Sequence, residues 1–132
     1  MLSLTVQNLG DVAVFRCTGR IEAGNDTALR KAVTAHTGAS LVVLDLAAVT
    51  GMDAAGLGAL ANLKAWANTS GRRLKLMNVT PPVAELLQLT GLSTVFEVCS
   101  VREMLDLICR AASASVAGVK SPLEIHYNSA AA

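Results

Sequence analysis

Asp53 is the residue whose surroundings invite chemistry. It follows a strand pattern and a short loop, and it opens the run Asp53-Ala-Ala-Gly-Leu-Gly-Ala-Leu. Its carboxylate is placed to cap a helix by accepting a hydrogen bond from the N–H of Ala55 or Gly56. A helix start just beyond a buried strand gathers unpaired N–H groups and the positive end of a dipole. Such a place suits an anion, a phosphate group or a protein partner. Catalytic readings have less to stand on. The histidines, His36 and His126, are far apart and neither offers a base to a serine. Asp45 ends a buried strand, where structural hydrogen bonding is its expected duty. Cys17, Cys99 and Cys109 are odd in number and lack CxxC spacing, so they read as reduced thiols rather than disulfides or metal ligands. The glycines of AAGLGA have neither the spacing nor the lysine of a phosphate-binding loop. No catalysis, metal or cofactor is expected.

The elements that position Asp53 can be read on both sides of it. Leu41, Val42, Val43 and Leu44 form a short, β-branched apolar run, the pattern of a buried strand over 41–46. Residues 47–52 are expected to be an exposed loop, and a helix runs from Ala54 to about Asn68 with Leu57, Leu60 and Ala61 on one stripe. Upstream, alternation predicts strands at 3–7 and 12–18, paired as a hairpin. Asn25 or Asp26 can cap a helix to about Thr37, which Gly38 ends. Downstream, Arg72 and Arg73 read as a solvated pair before a strand at 73–78. Thr80 caps a short helix opened by Pro81 and Pro82 and stopped by Gly91. An edge strand at 95–98 follows. Ser100 and Glu103 then form a capping box for a last helix carrying Val101, Met104, Leu105 and Ile108.

The order β-β-α-β-α-β-α-(β)-α predicts an α/β fold, a mixed four- to five-stranded sheet packed with about four helices. Residues 1–111 form the domain. Residues 112–132 read as a mobile or docked tail, with 123–127 extended. A chain of 132 residues is one domain, and with 52% hydrophobic but only 3% aromatic residues its core is aliphatic. A net charge of +1 with interspersed signs argues against nucleic acid as partner. No apolar run reaches the roughly 18 residues of a membrane span, and the amino terminus lacks signal-peptide character. A cytoplasmic location with no direct membrane insertion is expected.

The segment Asp45-Leu-Ala-Ala-Val-Thr-Gly-Met-Asp-Ala-Ala-Gly-Leu resembles the signature of the STAS domain, D-L-x-x-V-x-x-x-D-[ST]-[SA]-G-L. The resemblance extends by pattern over about 3–111 and points to the anti-sigma factor antagonist type. It implies a bacterial signalling protein acting in transcription regulation. In those antagonists the hydroxyl residue after the second Asp is phosphorylated by a kinase that is itself the anti-sigma factor. Here that position is Ala54, followed by Ala55, so the frame is present without the phosphoacceptor.

The resemblance implies a protein-binding surface at Glu22, Asn25, Thr50, Met52, Asp53, Ala54, Ala55, Gly56 and Leu57, facing an anti-sigma factor or related kinase-fold regulator. Each residue also has a plainer reading. Asp53 and Asn25 serve as helix caps, Glu22 and Thr50 as solvated turn residues, and Leu57 as core. Thr50, the nearest remaining hydroxyl, is an alternative phosphoacceptor, although an ordinary loop threonine is the favoured reading. Met52 could be an exposed apolar anchor. Gly56 and Gly58 sit where glycine is unfavourable, which implies a close approach, first of all helix packing on the strand 41–46. Two other roles stay open: an accessory STAS subunit of an ABC-type lipid transporter, and a small-ligand sensor using the sheet–helix crevice. Homodimerisation is also left open.

Overall fold

Period-two alternation separates two faces of one sheet, and the structure, a computed structural model describing residues 2–36, 38–116 and 124–125, covers both with helices. The elements are β1 (Leu2–Leu9), β2 (Val12–Ile21), α1 (Asp26–Ala35), β3 (Leu41–Met52), α2 (Ala54–Thr69), β4 (Arg73–Met77), α3 (Pro81–Leu89), a 3-10 turn (Leu92–Thr94), β5 (Glu97–Val98), α4 (Val101–Val116) and β6 (Glu124–Ile125). The sheet order is β5-β4-β3-β2-β1-β6. β1 pairs antiparallel with β2 and β6, whereas β2, β3, β4 and β5 run parallel. The expected mixed sheet and four helices are present, with two residues of the tail added as a sixth strand. Of the expected extended segment 123–127, Glu124 and Ile125 pair with Thr5 and Leu4, and the rest lies outside the described residues, as does Thr37.

The main core is aliphatic. Leu29 and Val33 of α1, Leu57, Leu60 and Leu63 of α2, and Val83 and Leu87 of α3 pack on Leu4, Phe15, Leu44 and Leu76. A smaller cluster on the opposite face joins Leu9, Val12, Val43 and Met77 to Met104, Leu107 and Ala111 of α4. Val43 therefore points away from its neighbours Val42 and Leu44, as a strand buried on both faces requires.

Several local expectations change. β3 does not end at residue 46 but runs to Met52, because irregular pairing with β2 lets Val49, Gly51 and Met52 stay in the ladder. Thr80 stands at the cap position of α3, yet its buried hydroxyl has no partner. Pro81 and Pro82 occupy the next two positions and have no N–H to offer. The box at α4 is formed: Glu103 N–H donates to Ser100 Oγ (3.1 Å) and Ser100 N–H to Glu103 Oε1 (3.2 Å). Lys75 Nζ, buried on β4, also bonds Glu103 and ties the start of α4 to the sheet. α4 continues past Ala111 to Val116. It turns Met104 and Leu107 inward but leaves Val101, Leu105 and Ile108 exposed, since its apolar arc is wider than its contact with the sheet. Arg72 and Arg73 are not merely solvated. Arg72 Nε donates to Ala39 O (3.0 Å) and its guanidinium lies 5.2 Å from the Trp66 ring centroid, while Arg73 pairs with Glu97 at 2.8 Å.

The two faces predict contrasting mutational costs. Leu60→Ala, which empties a fully buried site, should destabilise by about 2–5 kcal/mol. Leu105→Ala should stay within about 0.5 kcal/mol. Urea denaturation of the two variants checks the difference.

Candidate functional site

Parallel pairing places the ends of β2 and β3 side by side: Arg20 lies opposite Gly51 and Ile21 opposite Met52. Each strand then delivers its chain into a helix, so the turn 22–25 and the first turn of α2 meet. Gly56 sets the distance. A Cβ built on it would lie 2.1 Å from the carbonyl oxygen of Ile21 and 2.8 Å from Met52 Cγ. Backbone occupies the space a side chain would need, so only glycine fits. The close approach is therefore to the end of β2 as well as to β3. Gly58 differs: it is exposed, a Cβ there would meet nothing within 4 Å, and the expected close contact does not exist.

Asp53 locks this junction. Its Oδ1 accepts from Gly56 N–H (2.9 Å), the cap of α2, and its Oδ2 accepts from Ala23 N–H (3.0 Å) in the neighbouring turn. Its own N–H donates to Ile21 O at 3.3 Å and its carbonyl accepts from Leu57 N–H at 3.0 Å. The Ala23 and then the Gly56 N–H hold the carboxyl below its ordinary pKa. Ser or Asn could cap α2, but neither offers two anionic oxygens to two separate loops.

The other expected site residues divide by accessibility. Ala54 is exposed at the first helical position and Ala55 is half-buried beside it. Glu22 is half-buried, its carboxylate paired with Arg20 Nε at 2.9 Å. Thr50 is exposed, though on the end of β3 rather than in a loop. Three residues turn inward. Leu57 is 7% and Met52 8% exposed, so Met52 is a core residue and not a surface anchor. Asn25 is 2% exposed and caps nothing with its side chain. Its Oδ1 accepts from Glu22 N–H (2.8 Å) and its Nδ2 donates to Arg20 O (2.7 Å), which closes the turn from within. Sequence reasoning missed the Ala23 N–H and the Arg20–Glu22 pair. The neighbouring opposite charges were the one visible signal for the latter.

Asp45 lies within β3 rather than at its end, yet has the structural hydrogen bonding expected of it. Its Oδ1 accepts from Ala47 N–H (3.0 Å) and from Asn78 Nδ2 (3.1 Å), with Arg16 Nε 3.6 Å from Oδ2. Among the described residues, no group of three His, Cys, Asp or Glu side chains is gathered as a metal would need, and no helix is long and apolar enough to cross a membrane.

A family model described as the STAS domain matches residues 3–104. The chain is a member of the STAS domain family. The fold recurs in solved structures of low identity. An anti-sigma factor antagonist from Mycobacterium paratuberculosis is 23% identical with a TM-score of 0.69, covering 81% of this chain and 93% of that one. The phosphorylated form of the Bacillus cell fate determinant SpoIIAA is 16% identical with a TM-score of 0.62, covering 80% and 98%. The murine Solute Carrier 26 family member A9 anion transporter is 20% identical with a TM-score of 0.64, covering 76% of this chain but 18% of the transporter. Within this STAS domain, Asp45 and Asp53 of the family frame are both tied into backbone, whereas Ala54 faces outward.

Two variants probe the junction. Gly56→Ala forces the first turn of α2 off Ile21 and should cost about 3 kcal/mol or more in chemical denaturation. Asp53→Asn should lower the melting temperature at neutral pH. Because folding depresses the Asp53 pKa, the carboxylate's contribution is complete above its unfolded value and is lost as pH falls through its folded value. The gap between wild type and Asp53→Asn should therefore hold from about pH 7 to about pH 5 and narrow progressively as pH falls below about 4.

Proposed function

We propose that this STAS domain is a protein-binding regulatory module of the anti-sigma factor antagonist type, and that it docks on an anti-sigma factor or related kinase-fold regulator. The observation that carries the reading is the accessible, side-chain-poor start of α2. Ala54 is exposed, Gly58 one turn later is exposed, and Glu22 and Thr50 border them. Asp53 and Gly56 hold that surface in one conformation, and a preformed surface lowers the ordering cost of binding. Contact would come from Glu22, Thr50, Ala54 and Ala55. Asn25, Met52, Asp53, Gly56 and Leu57 would shape the surface from beneath.

The same geometry favours binding that no phosphate on residue 54 interrupts. A phosphoryl group there would add close to two negative charges over the first turn, beside Glu22 and Asp53, and would alter any partner contact. Alanine has no oxygen to accept it. The module acts through binding rather than catalysis, as a constitutive or scaffold-like member, in the bacterial cytoplasm. Thr50, exposed near the end of β3, stays unmodified in this reading.

Affinity capture from the native host tests this, with mass spectrometry identifying what is retained. Wild type should retain a kinase-fold regulator equally with and without ATP, and Ala54→Asp should weaken retention at least tenfold. Equal retention by Ala54→Asp would place the contact elsewhere. Ala54→Ser, incubated with the regulator and ATP, should acquire phosphate and an ATP-dependent release that wild type lacks.

A further inference from the structure

We infer that the cleft between α1 and α2 receives an acidic side chain of the docked partner, an inference that rests on the protein-binding reading above and deepens it. Thr27, Arg30, Lys31 and Thr34 recur at i, i+3, i+4 and i+7, so they share one face of α1. With Asn62 and Leu63 of α2 they line a cleft of about 460 Å³. β2 and β3 are parallel and feed α1 and α2 respectively, so the two helices start at the same end of the sheet. The cleft therefore begins beside the first turn of α1, at Thr27, and is closed on the α2 side by Asn62 and Leu63, about two turns beyond Ala54.

Its chemistry is lopsided. Two of its lining groups are cations and none is a carboxylate. Arg30 is under-bonded: its Nε is enclosed without a partner, its Nη2 reaches Thr27 Oγ1 only at 3.5 Å, and Asp26 Oδ2 stands 3.9 Å away. Thr34 Oγ1 donates to Arg30 O (2.7 Å), which holds that hydroxyl to its own helix. A guanidinium partly withdrawn from water with weak acceptors gains most from a carboxylate, which takes parallel hydrogen bonds from its fork. Lys31 adds charge beside it, and the Asn62 amide lies across the cleft. The acids of the neighbouring turn are already engaged: Glu22 with Arg20 and Asp53 with two backbone N–H groups. An acidic group arriving from a partner finds in the cleft the Lys31 ammonium and an Arg30 guanidinium whose pair with Asp26 is long, at 3.9 Å.

The experiment has two arms. In the first, acetylated hexaglutamate is titrated at low salt into the isotopically labelled full chain, and backbone amide NMR shifts are followed. Saturable shifts at residues 27–34 and 62–63, abolished in Arg30→Glu/Lys31→Glu and weakened in Arg30→Gln/Lys31→Gln, are expected. No shifts, or shifts centred on another element, would overturn the inference. In the second arm the regulator retained by wild type is measured against the same variants, with Arg102→Glu on α4 as a control for a single charge reversal elsewhere. The double reversal should weaken binding at least tenfold and Arg102→Glu less than twofold. Binding that resists Arg30→Glu/Lys31→Glu yet fails with Ala54→Asp would sink the acidic contact while leaving the docking reading intact. Cleft shifts without any retained regulator would sink the docking reading and, with it, the partner assigned to the cleft. Unchanged melting of the variants shows that fold loss is not the cause of either result.

Discussion

One contact distance governs this molecule: the carbonyl of Ile21 lies where a side chain on Gly56 would have to be. That approach brings the end of β2 against the first turn of α2. It also puts Ala23 N–H within reach of the Asp53 carboxylate, which already caps the helix through Gly56. Two loops that each leave a parallel strand become a single rigid rim. The glycine is unfavourable for the helix by roughly 0.5–1 kcal/mol relative to alanine, and the charged hydrogen bonds it permits offset that cost.

A fixed rim bears on the proposed docking. A helix start with an exposed alanine offers little side-chain detail of its own, so recognition there depends on backbone position and on what borders it. Asp53 contributes by fixing position. Asn25 does the same from inside the neighbouring turn, with both ends of its amide engaged. In the proposed docking, the residues that would meet a partner are small or polar at the rim and basic along the α1–α2 seam. Family membership and shared fold are consistent with solved antagonists and with a transporter domain alike, so the surface chemistry, and not the fold, distinguishes the proposals.

Much of the architecture was legible in the sequence because it follows from periodicity. Alternation marked β1 and β2, the apolar run marked β3, and the residues around Asp53 marked both the cap and the family. What escaped legibility depended on through-space neighbours. β3 extends to Met52 because β2 is there to pair with it, and that extension turns Met52 from an apparent loop anchor into core. Thr80 had the right type for a cap, but its hydroxyl is enclosed in the folded chain without reaching a partner. Val101, Leu105 and Ile108 had helical spacing, but the sheet is covered by the other edge of the same helix. Asp53 looked sufficient as a cap, and nothing in the linear chain indicated that Ala23, thirty residues earlier, would bond its second oxygen.

The central claim is that the joined rim of the turn after β2 and the first turn of α2 is the surface a regulator covers. Hydrogen exchange of the chain with and without its captured regulator measures this directly. Added protection should fall on residues 22–27 and 54–58 and extend along 30–34. Protection confined to α4, with the rim exchanging as in the free chain, would contradict the account.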